Sequence, residues 1–171
     1  RRDQSRRAAN WLEQAGYPLE VLRRRPGFDL GCARRLARFC RQHHVDLIHA
    51  HLYAPFFYAS LSRWFGTDVP VLYSEHGAPE TRHPWRRRLV NRRLLGPRDR
   101  VVAVGQWVRR LLVDSQGIPE DRVGVIYNGV DLLRYDKRAC DRHEVRGELG
   151  VDSDAFVLMQ VGRLEAIKNH A

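Results

Sequence analysis

The sequence predicts an α/β fold, a parallel sheet with helices packed on both of its faces. Two observations predict it. Short apolar runs rich in β-branched residues alternate with helix-like segments of ten or more residues. Glycine or proline punctuates the joins, with Gly66 and Gly96 at helix exits and Pro84 early in a helix. Strands separated by helices are joined by right-handed crossovers, the connection a parallel sheet requires.

The elements follow in order. LEVLRR (19–24) reads as a strand and DLGCARRLARFCRQHH (29–44) as a helix. VDLIHAH (45–51) is a strand, and YAPFFYASLSRWFG (53–66) is a helix that stops at its glycine. VPVLYSEHG (69–77), RVVAVG (100–105) and RVGVIYNG (122–129) are further strands. HPWRRRLVNRRLLG (83–96) and QWVRRLLVDSQG (106–117) are the helices between them. Beyond NGVD the pattern changes to a charged, mixed segment, then a turn-rich connection, then a buried-type strand, AFVLMQVG (155–162). The expected organisation is a first domain over 1–135, a linker over 136–153, and the first strand and loop of a second domain over 154–171. In parallel sheets ligands bind beyond the C-terminal strand ends, which directs attention to HAH, SEHG, AVGQ and YNGVD.

The chain has 171 residues, 43% of them hydrophobic, and a net charge of +10. Residues 1–110 carry 22 Arg and Lys against 9 Asp and Glu, and residues 111–171 carry 8 against 11. A basic first part and a near-neutral remainder suggest an anionic partner for one face. No apolar run approaches the roughly 20 residues that a membrane-crossing helix needs. Cys32, Cys40 and Cys140 are odd in number and lack framework spacing, so reduced thiols in a cytoplasmic protein are expected. The basic charge raises nucleic acid as a partner, but no binding module is recognisable and none is expected.

Four motifs, DLIHAH, YSEHG, VIYNGVDLLRY and VGRLEAIKNH, occur in that order over residues 45–171. In order and spacing the chain resembles the retaining glycosyltransferases of family 4. That resemblance implies the GT-B architecture: a Rossmann-like acceptor half and a Rossmann-like nucleotide-sugar half, present here as an incomplete pair. It implies a nucleotide-sugar donor as substrate, no cofactor, no catalytic metal, and a glycan or lipid-linked acceptor. It also implies that an opening strand and glycine-rich loop, and most of the donor half, lie outside these residues, so the chain alone is expected to be inactive.

The residues of VGRLEAIKNH suit that chemistry on physical grounds. A departing nucleoside diphosphate concentrates negative charge, and fixed cations offset it. Arginine presents a planar fork to phosphate oxygens and lysine a mobile point charge, while Gly162 permits close backbone approach. The resemblance assigns the donor diphosphate to Gly162, Arg163 and Lys168. His76, at the end of YSEH, corresponds to the family histidine that faces the transferred sugar; its expected role is positioning and electrostatic support. Asn128-Gly129 is expected to form a tight turn with positive φ by the cleft. Gly105 departs from the family pattern, in which serine commonly caps the next helix near the acceptor.

Two further segments have readings of their own. His49 and His51 alternate along a strand end, so both side chains share one face; such an HxH can hold zinc, which makes a metal-dependent hydrolase an alternative, with His51 otherwise on the acceptor side of the cleft. A second alternative is an epimerase or phosphorylase of the same fold, and a third is a non-catalytic binding domain. In HPWRRRLVNRRLLG, Trp85, Leu89 and Leu95 are expected on or near one helix side with arginines around them. That segment (85–95) is a candidate for lying on an anionic bilayer at the inner face of the plasma membrane.

Overall fold

Four parallel strands, in the spatial order β1-β2-β3-β4, organise the computed structural model, which describes residues 10–77, 84–135 and 141–162. The strands are β1 (Ile48–His51), β2 (Val71–Glu75), β3 (Arg100–Ala103) and β4 (Val123–Val125). The flanking helices are α1 (over 10–14), α2 (Leu30–Gln42), α3 (Tyr53–Leu61), α4 (Pro84–Leu94) and α5 (Gln106–Asp114). The register sets Ile48 beside Val71, Leu72 beside Arg100, and Val101 beside Val123. The chain divides into two compact units, Arg1–Asn128, which holds this sheet, and Gly129–Ala171.

Local chemistry explains the helix bounds. Asp29 caps α2: its Oδ1 accepts the Cys32 N–H at 3.2 Å, and its Oδ2 accepts the Arg25 N–H at 3.0 Å. The buried face of α2 is small, Cys32, Ala33, Ala37 and Cys40, which lets the helix approach α3 closely. Burial pushes the thiols of Cys32 and Cys40 up, so both stay protonated; Cys140 lies outside the described residues. A 3₁₀ turn (Ser62–Phe65) extends α3 and ends at Gly66, whose φ of 80° suits glycine. Gly117, at φ 65°, follows α5, and a Cβ there would meet Arg88 Cγ at 2.8 Å. Backbone strain and space both demand glycine at that corner.

The core centres on β2, whose Val71 and Tyr73 are 1% and 0% exposed. The Tyr73 ring stacks on Phe56 of α3 with centroids 4.5 Å apart. Asp99, fully buried, ties the opposite end of the sheet. Its carboxylate accepts the Val71 N–H at 2.8 Å, the Gly96 N–H at 2.7 Å and the Arg63 guanidinium at 2.5 Å.

The structure departs from the sequence-based expectation in several places. Residues 19–24 form no strand: Arg23 sits at φ 45°, and Arg35 takes the carbonyls of Leu22 and Arg23 at 2.8 and 3.3 Å. Those carbonyls would otherwise serve a ladder. Residues 155–162 join no sheet among the described residues, and Phe156, Leu158 and Val161 are 94%, 88% and 91% exposed. An apolar run becomes a strand only when a neighbouring backbone pairs with it. The second unit, taken by itself, instead has a 3₁₀ turn (Leu132–Tyr135) and the helix α6 (Arg142–Glu148), the latter within the stretch expected to be a linker. Asp141 caps α6 by accepting the His143 N–H at 2.8 Å. Leu95, expected beside Trp85 and Leu89, turns the other way and packs against the core.

Asp99→Asn leaves one amide oxygen for three donors and an uncompensated Arg63. A loss of about 3 kcal/mol is expected, read as a lowered urea midpoint with an unchanged slope.

Candidate active site

Parallel register brings the C-terminal strand ends together along one edge. His51 lies beside Ser74 and Glu75 beside Ala103. The pairing continues past the strands, through Leu52 N–H to Ser74 O (2.9 Å), Val104 N–H to Glu75 O (3.3 Å) and Ile126 N–H to Ala103 O (3.0 Å). HAH, SEHG, AVGQ and the start of IYNG therefore share this edge, where ligands of parallel sheets bind.

Three histidines gather there. Strand alternation puts His49 and His51 on one face, with ring centroids 4.1 Å apart. The His51 ring stacks beside His76, centroids 5.1 Å apart, and His51 Nδ1 lies 2.9 Å from His76 Nε2. His49 Nε2 is 2.9 Å from the Ser74 hydroxyl. His49 also lines a largely apolar cavity of about 310 Å³ together with Cys32, Pro55 and Tyr58.

The turn that presents His76 is built by Glu75, which lies inside the YSEHG motif but to which the sequence alone assigns no role. Glu75 is 3% exposed. Its Oε1 accepts the backbone N–H of His76 at 3.0 Å and of Gly77 at 3.2 Å, and its Oε2 accepts the Tyr73 hydroxyl. Burial, then the Glu75 carboxylate, pushes the Tyr73 phenol far up, so Tyr73 remains a donor. The signal for it in the sequence is a carboxylate in an apolar strand with a tyrosine two residues earlier, hence on the same face. Leu52, immediately after His51, sits at φ 72°, ψ 165°. That region belongs almost solely to glycine and costs about 1–3 kcal/mol. Arg87 of α4 lies over the Tyr53 ring, its Cζ 3.2 Å from the centroid. Burial raises the Tyr53 phenol while Arg87 acts to lower it.

Gly105 is the N-cap of α5, with extended backbone (φ −179°) and no side-chain cap; a Cβ there would meet only Tyr127 Cε1, at 4.0 Å. A serine would fit, so space does not demand glycine. Asn128 and Gly129 follow β4, and neither adopts positive φ. The expected positive-φ Asn-Gly turn is therefore not formed. Gly162 is described and exposed, while Arg163 and Lys168 lie outside the described residues.

The zinc reading of His49 and His51 gains no support from the arrangement. Among the described residues no group of three or more His, Cys, Asp or Glu is arranged to hold a metal ion.

The family model described as Glycosyltransferase Family 4 matches residues 1–134. A D-inositol 3-phosphate glycosyltransferase of Kineococcus radiotolerans is 31% identical over 153 residues, covering 82% of this chain and 34% of that protein. Its counterpart from Thermomonospora curvata is 31% identical over 141 residues, covering 73% of this chain and 32% of its own length. The chain thus spans about a third of the length of these curated relatives. A crystal structure of a glycosyltransferase from Rickettsia africae shares the fold, with a TM-score of 0.67 and 22% identity, over 85% of this chain and 39% of that one.

Partial desolvation by the rings packed beside it, and then the charges of His49 and His76, hold the His51 imidazole below its ordinary 6.5 although the residue is exposed. The unfolded chain therefore binds this proton before the folded chain does. Stability contributed by neutral His51 is fully present above about pH 6.5 and is lost as pH falls through the lowered value. Urea midpoints measured from about pH 7.5 to 5 should fall on acidification, and His51→Phe should flatten that slope.

Proposed function

This chain belongs to glycosyltransferase family 4, and we propose that the protein carrying it moves a sugar from a nucleotide-sugar donor to an acceptor with retention of configuration. The observation that carries the reading is the histidine cluster at the aligned strand ends, with His76 presented by the Glu75 turn. In a parallel sheet of this family that edge is the natural place for a sugar. The four-stranded unit would hold the acceptor. Arg163 and Lys168 would offset charge on the departing diphosphate, with Gly162 allowing close approach. His76 would support the transferred sugar by hydrogen bonding. The relatives named above are glycosyltransferases, which favours transfer over epimerase, phosphorylase or hydrolase chemistry. Their names make phosphorylated cyclitols the first acceptors to try, ahead of glycans and lipid-linked acceptors.

A specific surface favours a membrane-peripheral location. The outward side of α4 carries Trp85 and Leu89, 61% and 50% exposed, among the exposed Arg86, Arg88, Arg92 and Arg93. An ordinary surface helix turns its apolar side inward; α4 does so with Leu94, beside the buried Asn91, and also keeps an apolar stripe outside. Arginines around an exposed tryptophan suit an anionic bilayer surface, such as the inner face of the plasma membrane. No described helix is long and apolar enough to cross a membrane.

The protein carrying this sequence, purified in EDTA and offered UDP-, GDP- and ADP-sugars, should release a nucleoside diphosphate from one donor when an acceptor is present. Release that depends on a divalent metal, or none with any donor, would remove the proposal. In a flotation assay the same protein should bind vesicles of phosphatidylcholine with phosphatidylglycerol and leave them in high salt. Trp85→Ala together with Arg92→Glu should weaken that binding, and equal binding to pure phosphatidylcholine would end the membrane reading.

A further inference from the structure

We propose that His51 is a positioning residue for His76: one shared N–H between His51 Nδ1 and His76 Nε2 fixes the His76 ring and leaves Nδ1 as the His76 nitrogen that meets a ligand. The proposal deepens the transferase reading and rests on it for the identity of the ligand, a sugar hydroxyl.

A neutral imidazole has one N–H and one lone pair. Two ring nitrogens 2.9 Å apart can make one hydrogen bond only if one donates and the other accepts. His76 Nε2 is thereby committed to His51, and its other nitrogen is left for a ligand. The rings lie 27° from parallel, so the contact orients the His76 plane as well as its edge.

His51 is held more firmly than a lone surface histidine. Its backbone is paired in β1 beside Ser74, and its ring lies against His49, which is itself bonded to the Ser74 hydroxyl. The following residue, Leu52, is in strained backbone. On the other side, the Glu75 carboxylate holds the His76 N–H at 3.0 Å. His76 is thus fixed at its main chain by Glu75 and at its ring by His51. Neither contact serves the core, because His51 and His76 are both exposed.

With His51 held neutral by desolvation and by the neighbouring His49 and His76, its Nδ1 can serve as the acceptor of His76 Nε2–H. Among the described residues, the titratable or charged groups on the neighbouring segments include Tyr73 and Glu75 of β2, Tyr53 of α3, Arg87 of α4 over Tyr53, and Arg24 on the cavity that His49 lines. Neutral His76 then accepts a hydroxyl proton at Nδ1. When the pair gains a proton, the same atom donates instead. Both rings charged at once would break the bond, because neither nitrogen could then accept.

Two measurements separate this proposal from the transferase reading. The first needs no activity: side-chain ¹H–¹⁵N spectra of the 171-residue chain across pH. His76 Nε2 should carry a proton and His51 Nδ1 should appear as an acceptor, with the two rings titrating in coupled steps. His51→Phe keeps a ring but offers no acceptor, and should uncouple His76. His51→Asn places an amide oxygen near the Nδ1 position and should restore the bond. Two independent titrations in the unaltered chain would overturn the proposal. The second uses diphosphate release by the protein carrying this chain. His76→Asn, whose amide lies near the Nδ1 position, should retain about tenfold more kcat than His76→Gln, whose amide lies near Nε2. His51→Phe should lower kcat about tenfold at unchanged KM and melting temperature, with His51→Asn closer to the unaltered protein. The reverse order for the His76 pair, or equal losses for the His51 pair, would also overturn it. Coupled rings without turnover from any donor would uphold the pairing and sink the transferase reading alone.

Discussion

Two buried carboxylates, one at each end of β2, hold the sheet in place. Asp99 gathers the Val71 N–H, the Gly96 N–H and the Arg63 guanidinium where the strand begins. Glu75 gathers the Tyr73 hydroxyl and the N–H groups of His76 and Gly77 where it ends. A buried carboxylate without partners costs several kcal/mol, so each fixes the groups around it or does not stay buried. β2 is the strand between β1 and β3, and its position sets the register on both sides. The strand ends, and so the candidate site, inherit that position.

The two carboxylates have different consequences. Asp99 joins the 3₁₀ turn after α3, the segment after α4 and the start of β2; its work is stability. Glu75 commits its oxygens to the turn that presents His76, next to a strained Leu52 and an uncapped α5. Strain and missing caps reduce stability by small amounts each. Their concentration at one edge of the sheet, while the Asp99 end is fully satisfied, fits a functional edge opposite a structural one.

Charge is organised in the same divided way. At the site His51 Nδ1 and His76 Nε2 stand 2.9 Å apart, where a hydroxyl would be read. The fixed cations expected for a diphosphate, Arg163 and Lys168, belong to the other unit. Arg86, Arg88, Arg92 and Arg93 of α4 are exposed around Trp85 and Leu89, so some of the first part's positive charge is surface charge, while Arg87 turns to the Tyr53 ring.

Much of this protein was determined by local sequence. Alternating periods defined four strands and the helices between them, because a half-buried element must repeat at its own period. The HxH spacing put two histidines on one face through strand alternation alone. Three things needed the tertiary structure. The fate of 19–24 and 155–162 depended on whether a neighbouring backbone was present to pair with them, which no local pattern encodes. Leu95 turned inward, away from Trp85 and Leu89, because packing against the core decides a helix's buried side. The bond between His51 and His76, 25 residues apart, exists only because register sets β1 beside β2. Sequence chose which chemical groups stand at the strand ends; strand pairing decided which of them touch.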